Sequence, residues 1–176
     1  DVSWLTELSP GVPLDQLRTP TVLLCTHNHA DHLDPPAVSR LATNKATRHF
    51  VGPPSVVEEY RELGIESARI LKASADGAWC IEDSGIAGAS VPAFHNIPEA
   101  VGYVLRIANF LIYLTGDTLY QQSIKENFRR LVGDDELDLL LVCINGKYGN
   151  MGYREAAALT SELTPRAVVP MHYGLF

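Results

Sequence analysis

Residues 25 to 34, Cys-Thr-His-Asn-His-Ala-Asp-His-Leu-Asp, gather three of the chain's six histidines and two aspartates into ten positions. Neighbouring imidazoles are poor core material, and Pro35 and Pro36 follow at once, which argues against a helix through this stretch. The spacing H-x-H-x-D-H, carried by His27, His29, Asp31 and His32, is that of metal ligands. Imidazole and carboxylate together suit a borderline divalent ion such as Zn²⁺, Mn²⁺ or Fe²⁺. The plainer reading, a histidine-rich surface loop, does not account for so specific a spacing.

Three more residues join this set. His95, Asp117 and His172 each follow an apolar run. Taken singly, Asp117 is a turn residue in Thr-Gly-Asp-Thr and the two histidines are structural. Taken with the 25–34 motif, all three are candidate ligands. Seven donors are too many for one tetrahedral ion that keeps an open position. They divide naturally into two ions sharing a carboxylate. Two ions about 3.5–4 Å apart can hold a hydroxide between them and polarise a carbonyl or phosphoryl oxygen, so the expected chemistry is hydrolysis. Asp34 has two readings: it orients a ligating imidazole from behind, or it caps the helix after Pro35. His49, inside a strand-like run, is read as structural.

The elements that must position these residues are legible as apolar runs. Thr21–Thr26 predicts a buried strand stopping at His27. A short helix over Pro36–Ala42, a strand over 48–52 and a helix over 55–64 follow. In that helix Ser55 is the candidate cap, Val56, Val57, Tyr60 and Leu63 share one face, and Gly64 ends it. A strand over 68–73 completes a βαβα stretch with parallel strands. From Ala78, four strand-like runs predict an antiparallel meander, with Ala108-Asn109 as a tight turn. Helices over 121–131 and 153–163 then alternate with strands over 138–144 and 166–172. Strand ends along one sheet edge open into one crevice, the usual place for a site in an α/β sheet. Trp4, Trp79, Phe94 and Phe128 are read as packing residues.

The chain has 176 residues, 46% hydrophobic and 20% charged, which is the composition of one ordinary globular domain. A net charge of −7 without a basic tract argues against nucleic acid as a partner. No apolar run approaches the roughly 20 residues that span a bilayer, which argues against a membrane partner. The opening, Asp-Val-Ser-Trp, carries neither a methionine nor a signal-peptide pattern, and a fragment or processed product is expected. Cys25, Cys80 and Cys143 are odd in number and far apart. They are expected to be reduced thiols of a cytoplasmic protein, not a disulfide framework or a four-cysteine zinc site.

The segments Thr26–Asp34, Phe94-His95-Asn96, Thr115–Thr118 and Met171–Gly174, in that order, resemble the metallo-β-lactamase superfamily of dinuclear hydrolases. Residues 145–159, followed by Val168–Phe176, are similar to its ascorbate-6-phosphate lactonase-like branch. The resemblance implies an α/β (α+β) fold, an αββα sandwich with the active site along one edge of two facing sheets. It implies that His27, His29 and His95 bind one ion, that Asp31, His32 and His172 bind another, and that Asp117 bridges them. The implied cofactors are two divalent ions, zinc or manganese. The implied reaction is attack of a metal-bridging hydroxide on an ester or lactone carbonyl, such as that of a phosphorylated sugar lactone. Asp31 would handle a proton beside the second ion, making Asp31 and Asp117 the catalytic carboxylates. Higher oligomers occur in the branch, so a homo-oligomer is an expected state.

Domains of this family begin with several strands ahead of the histidine motif. Here only twenty residues precede Thr21. The expectation is therefore a single domain over 1–176, a fragment lacking N-terminal strands and the C-terminal end, with an apolar tail at Leu175-Phe176.

Residues around a substrate are less sharply marked. Asn145, Lys147, Tyr148 and Asn150 form a polar, glycine-flanked loop. In one reading Lys147 and the amides, Asn145 foremost, meet an anionic group of a small-molecule substrate; in the other the loop is a solvated turn. Tyr173 either reaches the oxyanion or packs. Two alternative functions stand beside the ester or lactone hydrolase. One is a phosphodiesterase or nuclease using the same ions, and the other is a non-catalytic metal-binding protein.

Overall fold

The computed structural model describes residues 14, 17–82 and 85–173. Trp4, Leu175 and Phe176 lie outside the described residues. The chain divides into two compact units, Asp1–Lys72 and Ala73–Phe176.

The first unit is built from β1 (Thr21–Leu24), α1 (Pro35–Thr43), β2 (Thr47–Gly52), α2 (Pro54–Glu62) and β3 (Ile70–Lys72). Its three strands lie in the order β1-β2-β3 and are all parallel, as the βαβα reading requires. Each helix carries one strand to the next and covers the sheet. Val56 and Tyr60 of α2 are fully buried, and the Tyr60 ring meets Phe50 of β2 edge-on with centroids 5.5 Å apart. Burying such a side chain contributes about 1.5–3 kcal/mol, so this layer holds the sheet together. Arg69 donates to the carbonyls of Ala42 and Thr47 and lies over the Phe50 ring, tying α1 to β2.

Several expected boundaries shift; the strand expected over 68–73 shortens to β3, because a 3-10 turn takes Ser67–Arg69. β1 ends at Leu24, although the Cys25 N–H still reaches the Val51 carbonyl at 2.9 Å. Ser55 does not cap α2: the helix begins one residue earlier, with Pro54 in its first turn, where a missing N–H costs nothing. Gly64 takes φ +76° past its end, as expected of a residue without Cβ.

The second unit contains β4 (Ala78–Ile81), β5 (Ile86–Pro92), β6 (Val101–Ile107), β7 (Phe110–Leu114), α3 (Ser123–Val132), β8 (Leu139–Cys143), α4 (Tyr153–Leu163) and β9 (Ala167–Met171). The six strands lie in sequence order. The pairs β4–β5, β5–β6 and β6–β7 are antiparallel, and β7–β8 and β8–β9 are parallel. Ala108 turns the chain between β6 and β7 at φ +52°.

Both helices of this unit bury one stripe. Ile124, Phe128 and Val132 of α3, four residues apart, and Ala156, Leu159 and Leu163 of α4 join Val91, Val104, Leu111, Leu140 and Val142 in one core. Phe128 stacks on Tyr113 at 5.3 Å. Trp79 meets Tyr103 edge-on and its indole N–H donates to Ser90, so Trp79, Phe94 and Phe128 are packing residues. Among the described residues no helix is long and apolar enough to cross a membrane.

The strand directions decide where the site forms in this unit. β5 and β7 both oppose β6, and β8 and β9 run with β7. Four strands therefore point the same way, and their C-terminal ends share one sheet edge. His95, Asp117, the 145–152 loop and His172 follow those four ends.

Candidate metal centre

In the first unit, the residues after β1 fold into a compact turn. The N–H groups of His32 and Leu33 both reach the His29 carbonyl, at 2.9 and 2.8 Å. Leu33 is 2% exposed and anchors the turn in the core. The Cys25 thiol donates to the His27 carbonyl at 3.0 Å and lies 3.4 Å from that of His32. Burial pushes this thiol up to about 12, so it stays protonated and keeps donating. Asn28 donates to Glu59 of α2 at 2.8 Å. The ligand loop is thus fastened from below and from the side.

That turn brings together four predicted ligands. His27 is fully buried. Its Nδ1 lies 3.0 Å from the Thr26 hydroxyl and its Nε2 lies 2.9 Å from His29 Nδ1. The rings of His27 and His32 are 4.1 Å apart. Asp31, exposed, places a carboxylate oxygen 3.6 Å from His32 Nε2. Asp34 is a cap: its carboxylate accepts the Ala37 N–H at 2.9 Å at the start of α1.

In the second unit, Asp117 is only 3% exposed. An ionised carboxylate so buried is costly unless positive charge or donors meet it. His172 Nε2 lies 3.5 Å from its Oδ2. His172 itself takes φ +57°, a conformation uncommon for a residue with a Cβ. His95 is half-buried, and its Nδ1 faces the Gly149 carbonyl at 3.2 Å. A carbonyl only accepts, so this contact puts the hydrogen on Nδ1 and the lone pair on Nε2. The loops behind His95 and Asp117 are joined: the Phe94 N–H donates to Thr118 Oγ1, and the Leu119 N–H to the Phe94 carbonyl, both at 2.9 Å. Burial also raises the Cys143 thiol, which donates toward the Thr118 carbonyl.

Asn150 is the residue whose part the sequence did not reveal. It sits in the polar loop expected to meet substrate, yet it is 4% exposed. Its Nδ2 donates to Asp117 Oδ2 at 2.8 Å and lies 3.4 Å from His172 Nδ1. The signal available was weak: an asparagine between glycine and methionine, with its partner 33 positions away. Of the other expected substrate residues, Asn145 is half-buried with the Lys147 N–H near its Oδ1, while Lys147 and Tyr173 are exposed.

Every candidate ligand in the two sets is an imidazole or a carboxylate. Imidazole nitrogens that present lone pairs, together with a buried carboxylate, are the donors that borderline divalent ions take. The residues present therefore fit metal ions.

Comparison with known proteins agrees with this chemistry. Residues 3–173 match the model of the beta-lactamase superfamily domain. The chain is 33% identical to a UPF0173 metal-dependent hydrolase of Pyrobaculum arsenaticum, over 98% of this chain and 75% of that protein. Igni18, a metallo hydrolase from Ignicoccus hospitalis, shares the fold with a TM-score of 0.71 at 24% identity, over 88% of this chain and 64% of that one. CmlA, a diiron beta-hydroxylase from Streptomyces venezuelae, superposes with a TM-score of 0.74 at 14% identity, over 88% of this chain and 36% of that one. The same fold thus serves more than one chemistry. By the domain model and by its curated relatives, the chain belongs to the beta-lactamase superfamily and, within it, to the UPF0173 metal-dependent hydrolases.

Proposed function

We propose that this protein is a dinuclear metal-dependent hydrolase of esters or lactones, acting on a small anionic substrate such as a phosphorylated sugar lactone. His27, His29 and His95 would hold one ion, and Asp31, His32 and His172 the other, with Asp117 shared. The observation that carries this reading is the crowding of His27, His29 and His32 in one turn, with two ring nitrogens 2.9 Å apart. Such packing of like donors has little structural use without a cation.

Bound ions, zinc or manganese, would supply Lewis acidity toward a carbonyl oxygen and acidify a water molecule. The remaining work falls to this chain's own groups. The hydrogen on His95 Nδ1 goes to the Gly149 carbonyl, which aims Nε2. The Asp31 carboxylate, exposed beside His32, would accept a proton from the attacking water. Lys147, Asn145 and Tyr173 would meet the anionic end of the substrate, Lys147 by charge. Membership of the metal-dependent hydrolases supports the reaction class, and the similarity of residues 145–159 to the lactonase-like branch supports the substrate class. The free thiols Cys25, Cys80 and Cys143 fit a cytoplasmic enzyme, and the branch points to a homo-oligomer.

The test is turnover by the metal-loaded protein on a lactone panel and on bis-p-nitrophenyl phosphate, with metal analysis of protein purified without added ions. Lactone hydrolysis is the expected result. Turnover of the phosphodiester alone would make it a phosphodiesterase. Turnover of neither, with both ions bound, would make it a metal-binding protein without this activity.

A further inference from the structure

We propose that Asn150 is a positioning residue for the metal centre, holding the Asp117 carboxylate in the orientation that receives cations. The inference rests on the metal reading above.

Three observations carry it. First, only the nitrogen end of an amide can meet an ionised carboxylate, so the 2.8 Å contact with Asp117 Oδ2 fixes which way the amide points. The same nitrogen lies 3.4 Å from His172 Nδ1; a hydrogen given there would put the ring hydrogen on Nε2, so the contact that bears on ligand orientation is the one to Asp117.

Second, this orientation is kept at a cost. Asn150 Oδ1 is buried and finds no hydrogen-bond partner among the described residues. Buried polar atoms are normally satisfied, and one left over at a site calls for a reason. Here the reason is the position of the nitrogen.

Third, the backbone under Asn150 is clamped. The Asn150 N–H donates to the Lys147 carbonyl at 3.1 Å, and the Met151 N–H to the Thr118 carbonyl at 2.7 Å. The Gly146 N–H donates to the Met151 carbonyl, and Asn145 pairs with Gly152 across the base of the loop. Met151 is fully buried. The loop thus registers Asn150 directly against the segment that carries Asp117. Its neighbour Gly149 holds His95 through a carbonyl, so the same loop supports two candidate ligands of this unit, His95 and Asp117.

The first test needs no metal. In the ¹⁵N–¹H spectrum of the wild-type protein, one Asn150 side-chain proton should lie downfield and exchange slowly. In Asp117→Ala it should return to the position of a free amide. A wild-type Asn150 pair at free-amide positions would overturn the inference. The second test is titration with Co²⁺, comparing the wild type with Asn150→Leu. The variant should bind about 10–100-fold more weakly and show an altered d–d spectrum. Wild-type affinity and spectrum in Asn150→Leu would overturn the inference and leave the metal reading standing. A wild type that binds no divalent ion would overturn both. Should Asn150→Leu fail to fold, the amide resonances decide alone.

Discussion

His27 and His29 face each other through ring nitrogens 2.9 Å apart, Nε2 against Nδ1, just past the end of the half-buried β1. Two N–H groups cannot meet at that distance, so at least one nitrogen presents its lone pair. The Thr26 hydroxyl beside His27 Nδ1 gives the other hydrogen a place to go. His29→Ala should therefore weaken divalent-ion binding at least about tenfold by calorimetric titration. His49→Ala, a change on β2 outside the donor set, should leave it within about twofold.

The three thiols should separate by reactivity. Thiolate is the nucleophile, and a thiol held up to about 12 is ionised to about one part in ten thousand at pH 8. Cys25 and Cys143 are buried and Cys80 is exposed. One thiol per chain should react quickly with an aromatic disulfide reagent in native protein, and two more only on unfolding. Rapid reaction of Cys25 would mean that the turn carrying the histidines is not fastened as described.

Gly149 and Gly64 offer a paired experiment. Both have positive φ, +85° and +76°. A Cβ on Gly149 would lie 3.3 Å from His95 Nδ1, whereas one on Gly64 meets nothing within 4 Å. Each change to alanine should cost about 1–2 kcal/mol of stability from backbone strain. Only Gly149→Ala should also weaken ion binding, because only there is a ligand pushed. Equal ion affinity in the two variants would contradict the placement of His95.

Much of this arrangement was legible because the chemistry sits where apolar runs stop. The run ending at Leu24 and the run ending at Met171 announce both a strand and the polar residue after it, and the histidine spacing is local. The edges of elements were less legible. Two prolines before Ser55 shift the helix start, since Pro54 occupies a first-turn position that the serine was expected to precede. Asn150 was placed with the substrate loop because its meaning depends on Asp117, which only folding brings near. Asp34 had two local readings, and only the Ala37 N–H contact chooses between them. The division into two units is a property of contacts over the whole chain, beyond any local pattern.

Alkaline stability follows from Tyr113. Burial in the core of the second unit raises its phenol above the ordinary tyrosine range. Above pH 10 the unfolded chain loses this proton while the folded chain keeps it. The unfolded state then binds fewer protons, and stability falls as pH rises, by at most about 1.4 kcal/mol per pH unit from this group. Tyr113→Phe should remove that component. Denaturant unfolding from pH 8 to 11 should show the wild type losing more stability than the variant above pH 10. Parallel curves would place the phenol in water.

The central claim is that seven dispersed side chains serve a pair of cations, and counting bound ions tests it most directly. Protein saturated with Zn²⁺ or Mn²⁺ and freed of excess metal should retain two ions per chain by elemental analysis. Asp117→Ala, with its fold verified by circular dichroism, should retain one or none. A wild type holding less than one ion per chain, or an Asp117→Ala variant still holding two, would contradict the account.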